Sequence, residues 1–219
     1  MARQASPVPA RQSSWAGRLV RNIFLWILPI WLVWTALTPI YNRFLATAAE
    51  NLLLLAESPN VTDLLVQGPH TAHITRRDFP PSRSLVRTVR VTDLHFHLVL
   101  LATLFMAVPG VPWRERLSNL AWAVLIAIFF HLLLLVFWVK FVYATQLGSW
   151  SLAHYGPFSR NLYGLGKHLL DLPFKLSLPL VLWAAFYIKL MLEELGGQPS
   201  EAGQGKAAKA PGKKGRSQF

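Results

Sequence analysis

The chain has 219 residues, 53 % of them hydrophobic, with several apolar runs longer than a soluble helix carries, which places it among integral membrane proteins. It contains no cysteine, and this excludes disulfides, thiolate metal sites and a cysteine nucleophile together. The formal charge of +12 accompanies no nucleic-acid-binding motif, and the Lys and Arg residues cluster beside hydrophobic segments. We therefore read the charge as membrane topology and contact with anionic lipid headgroups, with no nucleic acid as a partner.

In chain order, residues 1–19 are rich in Arg, Ser, Pro and Ala and are expected to form a flexible cytoplasmic tail. A first span over 23–41, IFLWILPIWLVWTALTPIY, carries no charge over a length that crosses roughly 30 Å of hydrocarbon. Trp26, Trp31 and Trp34 supply aromatic anchoring; Pro29 predicts a kink and Pro39 an end. Leu45 to Leu55 reads as an amphipathic extension at the outer interface. Residues 58–93 hold short β-branched runs separated by Gly68-Pro69 and Pro80-Pro81, which predict two or three strands in a small extracytoplasmic β-element.

A second span over 94–108 is stopped by Pro109-Gly110. A third over 117–143 includes His131 near its middle and Lys140 near its end, where the ammonium is expected to snorkel to the interface. Gln146 to Pro173 is expected to be an irregular aromatic-rich loop with a short amphipathic helix, followed by a fourth span over 174–192 and a disordered polybasic tail over 196–219. The fold class is thus an all-α membrane protein with four transmembrane helices and a small extracytoplasmic β-element. With both termini cytoplasmic, more than half of the 22 Lys and Arg residues lie inside, as expected for a multi-pass protein of the bacterial inner membrane.

Asp93, His95 and His97 stand at the entrance of the second span, where an ionisable side chain is costly unless paired. On a strand all three share one face and suit a first-row metal; on a helix they fan over about 200° and cannot share an ion. In a further reading Asp93 caps the helix and the histidines sit in the wet interface, so no metal or other cofactor is assigned. His131 can bond another span, and His154 lies in the following outer loop. His168 and Asp171 stand three apart, close enough for a carboxylate to orient an imidazole, although an ordinary surface pair is the preferred reading. Arg83, Arg87 and Arg90 form a candidate anion-binding cluster for lipid, glycan or peptide carboxylate. No Gly-rich phosphate loop, Gly-x-Ser-x-Gly elbow or His-Glu-x-x-His helix is present.

The order of elements, a first span, a β-rich outer segment, VRVTD entering a helix, the basic turn WRERL and a long third span, resembles the core of the exosortase and archaeosortase membrane transpeptidases over roughly residues 20–192. In that family the strand leads to a cysteine motif, the later span carries an Asn-x-x-Arg motif, and a His or Asn follows. The cysteine position falls about Asp93 to His95, the third-span motif falls on His131 to Leu134 without an arginine, and His154 matches the last group. The resemblance without the nucleophile implies a non-catalytic accessory protein whose partners are membrane lipids and an exosortase or a sorted surface protein. The alternatives are a divergent hydrolase or transferase using Asp93, His95, His97 and His154, and a lipid- or glycan-binding scaffold in envelope assembly.

Overall fold

The computed structural model describes residues 15–196, so the tail readings for 1–14 and 197–219 fall outside the described residues. The described residues divide into two units, 15–186 and 187–196, the second being the C-terminal end of the last helix. The architecture is mostly helical, with one small antiparallel sheet.

Helix α1, Trp15–Ala56, runs for 42 residues, about 63 Å at 1.5 Å per residue. It begins inside the expected tail, and it does not end at Pro39. Beyond that proline, Asn42, Leu45, Ala46, Ala49 and Leu53 recur at helical spacing and are all fully buried, so packing of this face outweighs one lost backbone bond. The expected interfacial extension is therefore a core element. The first half of the helix differs, since Phe24, Leu28, Leu32 and Val33 are exposed as lipid-facing side chains would be.

Strands β1 (Thr62–Gln67), β2 (Thr71–Arg76) and β3 (Leu85–Arg90) form an antiparallel meander in the order β1-β2-β3. Leu64 pairs with Ile74 and Ala72 with Val89, which gives the sheet one apolar face. That face joins Leu45, Ala49 and Leu53 of α1 in a single core cluster with Leu135, Val139 and Tyr143. Gly68, at φ 68°, makes the β1–β2 turn that a side chain would strain. Just past β2, the Arg77 guanidinium clamps Asp63 of β1 through Nε and Nη2.

The expected second span is shorter and broken. Helix α2 covers Thr92–His95 and α3 covers Leu98–Ala107, ten residues or about 15 Å, too short to cross a bilayer unaided. The end of α3 is held by Arg116, which donates to the Met106 carbonyl at 2.7 Å and the Val111 carbonyl at 2.8 Å, and by Asn22, which donates to the Ala107 carbonyl at 3.0 Å. Helix α4, Trp113–Thr145, comes next.

The aromatic loop expected over 146–173 is largely helical: α5 (Ser149–His154), α6 (Pro157–Leu169), a π-helical turn (Leu170–Phe174) and α7 (Lys175–Gly196). The wide π turn carries the helical path past Pro173, so α6, where a short amphipathic helix was expected, runs on into α7, where a separate fourth span was expected. Helix α6 lies antiparallel to α4, with Gly166 against Phe137 and Gly164 against Phe141. Among the described residues three stretches are long and apolar enough to cross a membrane, Trp15–Ala56, Trp113–Thr145 and Pro157–Glu193, which marks a membrane protein.

Candidate functional site

A polar network is buried where α1, α2 and α4 meet. Asn42 is fully buried on α1, one turn past Pro39. Its amide nitrogen donates to the Pro69 carbonyl at 2.6 Å and to Thr92 Oγ1 at 3.1 Å. The amide oxygen therefore faces His95, whose Nε2 lies 2.6 Å away and must be the donor. This fixes the His95 tautomer and leaves its buried Nδ1 without a proton or a partner. Thr92 Oγ1 also lies 3.1 Å from His70 Nδ1, which ties the β1–β2 turn to the start of α2.

Beside this lies a second chain of contacts. Tyr41 Oη is 2.7 Å from His131 Nδ1, and His131 Nε2 is 3.1 Å from His97 Nε2. One imidazole must donate and the other accept, so the pair is satisfied only with both rings neutral or with one proton shared. His97 Nδ1, buried at the end of the chain, has no partner. Tyr41 packs edge-on against His95 at 4.8 Å, which joins the two chains in one cluster.

His95, His97 and His131 therefore converge, and His131 makes the interhelical bond expected of a polar residue in an apolar helix. Asp93 and His154 do not join them. Asp93 is the second residue of α2, its side chain is 57 % exposed, and it caps nothing; Arg90 Nε lies 3.8 Å away. Two residues along α2, about 200°, turn the Asp93 carboxylate away from His95, and His97 lies past the end of α2 at the start of α3. His154 stacks on Trp150 at 4.2 Å, away from the other histidines. His168 rests edge-on against Phe141, while Asp171 pairs with Lys167 at 3.2 Å and Lys175 at 3.1 Å, so these two do not orient one another. Among the described residues no group of three His, Asp or Glu side chains is placed to hold a metal ion.

Next to the network lies a groove of about 410 Å³ between α1, α2, α3 and α7. Ile27, Trp31, Val99, Leu100 and Leu176 make its apolar wall, and His70, Thr92, His97 and Lys175 its polar part. Lys175 also borders a basic pocket of about 340 Å³ that holds Arg87, Arg90 and Lys167 with Asp93 and Asp171. Of the expected arginine cluster, Arg87 and Arg90 line this pocket; Arg83 sits on the β2–β3 turn, exposed and outside it.

Two charged arrangements have no counterpart in the sequence reading. Arg76 is held by Asp78 at 2.7 Å and lies over the rings of Trp150, Tyr143 and Phe79, at 4.4, 4.8 and 5.2 Å. The double hydrogen bond from Arg76 holds the Asp78 carboxyl below the usual carboxylate range. Lys140, expected to snorkel, instead pairs with Glu57 at 2.7 Å with both side chains nearly buried. A charge on each of two distant apolar segments is the one signal that pointed to this pair. His154 shares a pocket of about 350 Å³ with these four groups. No protein-family model, no curated protein and no solved structure matches the chain.

Proposed function

We propose that the chain is a non-catalytic, multi-pass protein of the bacterial inner membrane that serves as an accessory factor in exosortase-type surface-protein sorting, with both termini cytoplasmic and the sheet periplasmic. The basic residues Arg18, Arg21, Arg114 and Arg116 support this orientation, because Trp26 against Trp113 puts the starts of α1 and α4 at one end. From Trp113 to His131 is about 27 Å of helix, close to the thickness of the hydrocarbon. The histidine network then sits at the outer boundary, with Thr92–Ala107 as a short fourth membrane segment that ends in the bilayer's inner half.

The observation that carries an accessory role is the outer face of α6. Phe158, Leu162, Leu165 and Leu169 line one stripe, with Phe158 78 % and Leu165 67 % exposed, on a helix alongside the part of α4 beyond His131. An apolar stripe raised above the bilayer suits a protein partner. The class of partner rests on the resemblance of segment order to exosortases. A hydrolase built on Asp93, His95, His97 and His154 gains no support, since the carboxylate and His154 lie apart from the other two.

Deleting the chain from its host is expected to impair processing of a surface protein with a C-terminal sorting tail, followed by immunoblot. Phe158→Asp with Leu165→Asp is expected to reproduce the defect and to abolish co-purification with the exosortase. Unchanged processing in the deletion strain overturns the proposal.

A further inference from the structure

The groove and the basic pocket meet at Lys175, which lines both. Around that residue positive charge is in excess. Asp171 serves Lys167 and Lys175 together, both lysine side chains are about 15 % exposed, Arg90 lies 3.8 Å from the carboxylate of Asp93, and Arg87 lines the same pocket. Four cations against two carboxylates leave the pocket with an excess of positive charge; Lys167 and Lys175 are partly buried and share one carboxylate, while Arg87 and Arg90 lie exposed at its rim.

The groove adds the opposite requirement. Its walls include Trp31, Leu100 and Leu176, which are 53, 39 and 60 % exposed and continue the lipid-facing surface of α1. Two lining residues also hold buried polar atoms with no partner: Trp34 Nε1 and His97 Nδ1, the latter in a side chain only 4 % exposed. Both atoms are shielded from the groove itself, which presents mainly the apolar wall and, at one end, Lys175.

The geometry points to a binding site for an anionic phospholipid of the outer leaflet, with an acyl chain along the Trp31, Leu100 and Leu176 wall and the headgroup phosphate at Lys175, flanked by Arg90 and Lys167. A bilayer lipid fits better than a soluble anion because the wall is open to the hydrocarbon and the cations lie at one end of it. The lipid site does not need the accessory role, but its outer-leaflet assignment rests on the proposed orientation. It replaces the arginine trio 83, 87 and 90 with a set that the sequence does not group, two lysines from the α6–α7 path and two arginines from β3.

Native mass spectrometry of the full chain, released from detergent with equal amounts of phosphatidylglycerol and phosphatidylcholine of identical acyl chains, tests the site. Phosphatidylglycerol is expected to be retained about tenfold better. Lys175→Gln and the double variant Arg87→Gln, Arg90→Gln, the latter on exposed side chains that leave folding intact, are expected to erase that preference. Leu100→Trp is expected to reduce retention of both lipids by filling the wall. Equal retention of the two lipids by the unaltered chain, or an unchanged preference in the arginine double variant, overturns the proposal. Full displacement of phosphatidylglycerol by millimolar inorganic phosphate also overturns it, because it reduces the site to a simple anion site.

Discussion

His95 donates from Nε2 to the amide oxygen of Asn42 across 2.6 Å, and the two residues, 53 positions apart, are both fully shielded from solvent. Asn42→Ala removes the acceptor and leaves a buried N–H, together with the Pro69 carbonyl, unpartnered. The expected cost is about 1 to 3 kcal/mol, seen as a lower midpoint of thermal unfolding in detergent. His95→Ala in the same background is expected to add little, because the bond it removes is already gone. Fully additive losses would show that the two residues do not act together.

The pair of Glu57 and Lys140 makes the opposite kind of prediction. Glu57→Gln leaves an ammonium nearly buried without its counter-charge, a change expected to cost about 3 to 5 kcal/mol. Glu57→Leu combined with Lys140→Met removes both charges and is expected to be closer to the unaltered chain than either single change. Chemical denaturation of the four proteins measures this, and a double variant worse than both singles would contradict it.

At Gly166 α6 packs directly against Phe137 of α4. A Cβ built there lies 2.2 Å from the Phe137 ring, so alanine forces the ring or the helix to move. Gly166→Ala is expected to destabilise the α4–α6 packing by about 1 to 3 kcal/mol, whereas Gly164→Ala, with its nearest contact at 3.8 Å, is tolerated. Protease accessibility of the 157–169 segment separates the two, and equal resistance would refute the contact.

Acid is expected to loosen the sheet through Asp78. Arg76 holds this carboxyl low in the folded protein, so its contribution to stability is complete above the ordinary carboxylate value of about 4. That contribution is lost as the pH falls through the lowered value. The protection factors of the Thr71–Arg76 amides, corrected for the intrinsic pH dependence of exchange, should therefore fall in acid, while Asp78→Asn should show lower protection already at neutral pH and a smaller acid step. Identical acid profiles would remove Asp78 from the account.

Sequence alone determined the membrane class, the β-element and the basic ends of the spans, because long uncharged runs and β-branched segments bounded by Gly and Pro act locally. It also marked His95, His97 and His131 as polar groups that require partners. It did not separate Asp93 from them, since neighbours in sequence look like neighbours in space until the helical step of α2 and its break before α3 point them apart. Nor did it single out Asn42, a neutral residue whose value comes from Pro69, Thr92 and His95, or carry α1 past Pro39. Those outcomes belong to the tertiary structure, where burial makes each unpaired polar atom costly and lets a packed helix face outweigh a local break.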